Sequence, residues 1–128
     1  MLICLSDNYM ETKAFIVADE VVPGAQNKAV INGVFDVVFA KSFPAMHKSL
    51  ATFFAFEGKN KKYKYELFLK YKGNRMKITE TEFDKNNKQH KVISKINNLP
   101  FPNEGEYIFE VDLDKKLVAS ASIEVRKI

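Results

Sequence analysis

Apolar and polar residues alternate along most of this chain. The pattern is cleanest near the C-terminus, where Tyr107, Phe109, Val111 and Leu113 fall on one side and Ile108, Glu110 and Asp112 on the other. After Asp114-Lys115-Lys116 it resumes, with Leu117, Ala119, Ala121, Ile123 and Val125 against Val118, Ser120, Ser122, Glu124 and Arg126. A period of two marks a strand with one buried and one wet face, and a one-residue slip would turn every apolar side chain outwards. The spacing predicts a β-hairpin with Tyr107, Phe109 and Val111 in the core beside Leu117, Ala119, Ala121 and Ile123, and with Glu110 in water. Ala119 and Ala121 are small enough to admit aromatic rings from a facing sheet, with Phe35 and Phe53 as candidates. Pro100 and Pro102 cannot donate to a ladder and Gly105 tolerates a positive φ, so 100–105 is the turn into this hairpin.

Six further strands are predicted upstream. Residues 13–20 lack clean alternation, as a strand buried on both faces would. Residues 29–40 set Ile31, Gly33, Phe35, Val37 and Phe39 against Asn32 and Asp36. Residues 49–57 are apolar on both sides around Phe53-Phe54. Residues 63–71 alternate well, and Gly73-Asn74 forms a two-residue turn into 76–83, an edge strand by its Thr and Glu content. Residues 91–99 complete the set. Phe43-Pro44 and Phe101-Pro102 mark crossovers. About eight short strands without useful helical periodicity predict an all-β fold, a single-domain antiparallel β-sandwich, with a partly open β-barrel as the alternative. Residues 1–12 are expected to form a poorly ordered N-terminal tail and 13–128 the domain.

Composition narrows the chemistry. Eleven Phe and five Tyr without Trp supply core material for 128 residues. The single Cys4 cannot pair internally, which favours a reducing, cytoplasmic setting, and no apolar run approaches a membrane span. Two histidines far apart, His47 and His90, give no metal-ligand spacing, and no phosphate-binding loop or nucleophile elbow occurs. No cofactor is expected. Asp19, Asp36 and His47 form the one acid–base set from which a small hydrolase is conceivable; a turn-orienting His47 and solvated strand-end carboxylates are the plainer reading.

The net charge of +4 is mild, but bases cluster. Lys59, Lys61, Lys62 and Lys64 surround one turn, and Lys70, Lys72, Arg75 and Lys77 the next. With Phe68 on the same strand face, this surface has the ingredients of single-strand nucleic-acid binding, charge plus stacking. Edge-guarding lysines interspersed with Glu57, Glu66, Glu80 and Glu82 explain the same residues without a ligand.

Three stretches carry a family resemblance. They hold Ala18-Asp19, then Gly33 with Phe35-Asp36, then Phe43-Pro44 with His47, and finally Pro102, Gly105 and Tyr107. Over about 13–126 the chain resembles an uncharacterised small all-β family, a domain of unknown function found in bacteria, archaea and phages. That resemblance implies the fold and brings no catalytic or binding residues with it. The function expected is a non-catalytic binding or assembly module contacting another protein, with nucleic-acid binding through Lys59–Lys77 as the alternative. Self-association through a sheet edge is compatible with either.

Overall fold

The computed structural model describes residues 9–128. Nine strands build two facing sheets: β1 (Met10–Pro23), β2 (Ala29–Val34), β3 (Val37–Ala40), β4 (Ala45–Gly58), β5 (Lys62–Tyr71), β6 (Asn74–Asp84), β7 (Gln89–Phe101), β8 (Gly105–Leu113) and β9 (Lys116–Lys127). One sheet runs β2-β1-β4-β7 and the other β3-β9-β8-β5-β6. Neighbours are antiparallel except β3 and β9, which run parallel. The chain is an all-β sandwich, as the alternation requires.

The core lies between the inner faces. Val17, Leu50, Phe54 and Phe56 meet Tyr65, Leu67, Leu69, Phe109, Val111 and Ile123 across the gap. Ring packing is dense, with Phe54 5.4 Å from Phe56 and 5.9 Å from Tyr65. The hairpin of β8 and β9 places Tyr107, Phe109 and Val111 opposite Ile123, Ala121 and Ala119, in the expected register. Its tip is a two-residue turn, with Asp114 and Lys115 both at positive φ, which suits the twist of the strands.

Several expectations need correction. The register slips between Val111 and Asp112, so Val118 is the extra residue of a bulge and Leu117 pairs with Asp112 on the outer face, 58% exposed. Phe53 also faces outwards. It lies opposite Ile16 and joins a second apolar cluster with Ala18, Ala51 and Ala55, whereas Phe35 does pack on the main core. The predicted strand over 29–40 is two strands. Gly33 at φ +72 begins a crossing in which Phe35 N–H reaches the Val17 carbonyl and the Asp36 carbonyl accepts from Glu124 N–H, so β2 and β3 join different sheets. The turn after β5 is Lys72-Gly73, one residue earlier than expected, because Asn74 already pairs with Tyr71.

β1 begins at Met10, three residues before the expected boundary. Met10, Glu11 and Thr12 pair with Gly58, Glu57 and Phe56, and Thr12 Oγ1 donates to the Val118 carbonyl at 2.8 Å. These residues belong to the sandwich because Met10 packs on its core. Residues 1–8 of the expected tail lie outside the described residues.

Candidate binding surfaces

The basic set predicted from the sequence gathers on and around the outer face of the five-stranded sheet. Register puts Lys62, Lys64, Phe68 and Lys70 of β5 opposite Asp84, Glu82, Lys77 and Arg75 of β6. Most of the charges close on neighbours. Lys64 Nζ lies 3.2 Å from Glu80, Lys62 4.0 Å from Glu82, and Lys61 2.6 Å from Asp114. Lys72 sits over the Tyr71 ring at 5.4 Å, and the Lys59 carbonyl accepts from Tyr63 Oη at 2.7 Å. Lys70 is half-buried between Arg75 and Ile108 in the ladder.

Beneath these bases runs a feature the alternation did not reveal. Glu66, Glu110 and Asp112, on adjacent strands β5 and β8, are 1%, 7% and 6% exposed although they face outwards. Arg75 covers them. Its Nη1 and Nη2 bond both oxygens of Asp112 at 3.0 and 2.6 Å, and its Nε bonds Glu110 at 2.8 Å. The guanidinium also lies 3.7 Å from the Phe68 ring centroid, so this face of the aromatic is covered by the protein's own cation. Hydrogen bonds to Asp112, and then to Glu110, raise the Arg75 pKa above its ordinary value. Lys77 Nζ lies 2.7 Å from Glu66, and Lys115, from the hairpin tip, lies 3.2 Å away. The Lys77 hydrogen bond, followed by that of Lys115, holds the Glu66 carboxyl below its usual range. The expectation that Glu110 stands in water is therefore corrected: it is on the outer face but roofed by Arg75. The pairing of β5 with both β6 and β8 is what brings these charges together.

The acid–base set is split. Asp19 and His47 approach to 3.6 Å, with the Phe35 ring 5.4 Å from the imidazole. Gly33 presses on the same spot, since a Cβ there would sit 2.5 Å from Asp19 Oδ2. The motif residues around Ala18-Asp19, Gly33, Phe35 and His47 thus converge at one end of the sandwich. Asp36 does not join them into a metal-binding group, and no cluster of three or more His, Cys, Asp or Glu suited to a metal occurs among the described residues.

The third feature is an open flank. β6 and β7 are the last strands of their sheets, on the same side of the sandwich. A cleft of about 410 Å³ lies between them, lined by Met76, Ile78, Ile96, Leu99 and Pro100 and by the polar Lys77, Thr79, Lys95, Asn97 and Asn98. Met76 and Pro100 also border a second cleft of about 310 Å³, floored by Leu69, Tyr71 and Tyr107. Tyr71 and Tyr107 stack at 4.2 Å. Their hydroxyls are tied down, Tyr71 to the Glu104 carbonyl at 3.0 Å and Tyr107 to the Asn103 carbonyl at 2.6 Å, so their polar tips are already engaged. No helix among the described residues is long and apolar enough to cross a membrane.

Known structures share this fold. An alkylpurine DNA glycosylase of Pseudomonas fluorescens, bound to DNA containing an abasic-site analog, superposes with a TM-score of 0.55 at 11% identity over 91% of this chain and 30% of its own. The β-glucosidase of Listeria innocua, in complex with glucose, gives 0.55 at 8% identity over 91% of this chain and 16% of its own. The β-glucosidase of Kluyveromyces marxianus gives 0.50 at 9% identity over 80% and 16%. The chain thus spans less than a third of each of these proteins, and at such identities the likeness is one of fold. None of the curated proteins matches the sequence. The model of a family does, over residues 13–126, covering the motif residues that converge beside Asp19 and His47 together with the hairpin and both edges of the open flank. The chain belongs to that family, DUF6941, a family of unknown function.

Proposed function

We propose that this protein is a non-catalytic binding module that contacts another protein through the open flank of the sandwich, and that it works in the cytoplasm. The observation that carries the reading is the pair of clefts sharing Met76 and Pro100, one mixed in polarity and the other mostly apolar, bordered by two strand edges with unpaired backbone groups. Met76 is half exposed there. Methionine and proline beside an open edge suit a protein segment, which brings both apolar side chains and a backbone to pair. The lone cysteine, Cys4, supports the reducing compartment.

The outer face of the five-stranded sheet favours nucleic acid less. Its bases are interlaced with carboxylates at ion-pair distance, and Phe68 is capped by Arg75. The test is a photo-crosslinking amino acid placed singly at exposed positions in the native cell. Met76 should give a discrete protein adduct, while Ser120 on the outer face of β9 should stay silent. A scan of the exposed positions that yields no protein adduct anywhere would overturn the proposal.

A further inference from the structure

The two edges of the open flank are built differently. β6 is guarded: its register slips between Leu67 and Phe68, and Arg75 and Lys77 are held by Glu110, Asp112, Glu66 and Glu80. β7 is regular. It pairs with β4 in unbroken register from Gln89–Glu57 to Asn97–Ser49, and nothing among the described residues pairs with its other side. The remaining edges, β2 and β3, are only six and four residues long.

The charge on β7 has one sign. Residues 85–103 hold four of the twenty basic residues and none of the sixteen acidic ones. The rest of the chain carries sixteen of each, so the whole formal charge of +4 resides in this segment. Lys85 is buried and spends its ammonium on Asn60 Oδ1 and the Asn87 carbonyl. Lys91 and Lys95 lie opposite Ala55 and Ala51, and Ile93 between them lies opposite Phe53, so all three share the outer face. Neither Lys91 nor Lys95 has a carboxylate at ion-pair distance among the described residues. Lys95 also lines a small cavity with Asp19 and Glu20. On the inner side, Ile96 borders the 410 Å³ cleft opposite Ile78 and Met76.

We infer that the free edge of β7 takes an extended protein segment as an added strand, one that alternates acidic with apolar residues. This rests on the binding-module reading. The segment's carboxylates would stand beside Lys91 and Lys95, and its apolar side chains would enter the cleft over Ile96, Ile78 and Met76. A second copy of this chain fits poorly, because pairing β7 with β7 sets lysine against lysine across the new ladder. The lysines that repel a like strand are the ones that attract an acidic one.

Two synthetic peptides test this: one alternating Glu with Val, the other with every Glu replaced by Lys. The Glu peptide should bind saturably, weaken with salt, and slow hydrogen exchange of β7 amides between 89 and 97 while leaving β6 unchanged. The double variant Lys91→Glu/Lys95→Glu should bind the Glu peptide at least about tenfold more weakly and take up the Lys peptide instead. Lys91→Gln/Lys95→Gln, with less perturbation of the fold, should lose the preference between them. Equal binding of the two peptides by the native protein, protection on β6, or no binding of the Glu peptide would overturn the inference. Photo-crosslinks at Met76 on β6 while positions on β7 stay silent would overturn it and leave the open-flank reading intact. Silence everywhere removes both.

Discussion

Replacing Glu110 by alanine tests the most unexpected element of this structure. Alternation alone puts Glu110 on a wet face, where truncation costs within about 0.5 kcal/mol. The structure gives a different magnitude. Glu110 accepts one charge-assisted bond from Arg75 Nε and Asp112 accepts two from Nη1 and Nη2. Such bonds contribute about 1.5–3 kcal/mol each. Arg75 is 33% exposed, so water partly replaces a lost partner and the low end applies. Glu110→Ala should then cost about 1.5 kcal/mol and Asp112→Ala about 3 kcal/mol. Arg75→Ala strands both buried carboxylates and should cost as much as Asp112→Ala or more, about 3–4 kcal/mol. Urea denaturation followed by circular dichroism reads these as midpoint shifts at constant slope. The double-mutant cycle of Arg75→Ala and Glu110→Ala should show coupling of about 1 kcal/mol or more. A Glu110→Ala variant within about 0.5 kcal/mol of the native protein, with no coupling to Arg75, would refute the view that Arg75 roofs a buried acidic row.

Phe109→Ala should cost about 3–5 kcal/mol, since Phe109 is fully buried between the sheets; a cost near that of Glu110→Ala would contradict the hairpin's register. Gly33→Ala should cost about 1–3 kcal/mol through its positive φ, and because its Cβ would strike Asp19, adding Asp19→Ala should recover only the collision and not the backbone strain. His90 stacks on Phe83 at 4.1 Å, and burial, with Lys85 and Lys91 nearby, pushes its pKa below 6.5. The unfolded chain therefore binds the proton first on acidification. The stability gained by keeping the ring neutral is present above pH 6.5 and is lost as pH falls through the lower folded value. Thermal midpoints between about pH 8 and about pH 5 should fall more steeply for the native protein than for His90→Gln; parallel curves would exclude this role.

What the sequence showed was local parity, and what it hid depended on partners far along the chain. Tyr107, Phe109 and Val111 are legible because period two leaves a single register. Leu117 is not, because the bulge at Val118 changes parity without a glycine or proline to announce it. The strand at 29–40 looked continuous because Phe35 is apolar in either reading, whereas its role is to plug the crossing between sheets. Met10 to Thr12 looked like a tail because their partners, Phe56 to Gly58, lie more than forty residues away. The basic cluster was visible as composition, but its neutralisation was not, since Arg75 meets its carboxylates only once β8 pairs with β5. The convergence of Asp19, Gly33, Phe35 and His47 was foreshadowed only as a family pattern, with no spacing that requires them to touch.

The distribution of charge explains why the β7 edge, rather than the larger basic cluster, is the better place for a partner. Attraction at a distance depends on net local charge, and paired charges a few ångströms apart largely cancel beyond the Debye length of about 8 Å at physiological salt. Around Phe68, Lys64, Arg75 and Lys77 are matched by Glu80, Glu110, Asp112 and Glu66, so that face presents little field despite its many cations. Opening it to a ligand would also expose carboxylates now nearly buried, a cost any ligand would have to offset. At β7 no such closure exists: Lys91 and Lys95 flank Ile93 on an edge whose backbone groups are already unpaired. A strand arriving there completes ladder bonds, meets lysines that no carboxylate pairs with among the described residues and covers apolar surface in one step, without breaking any interaction the protein has made with itself.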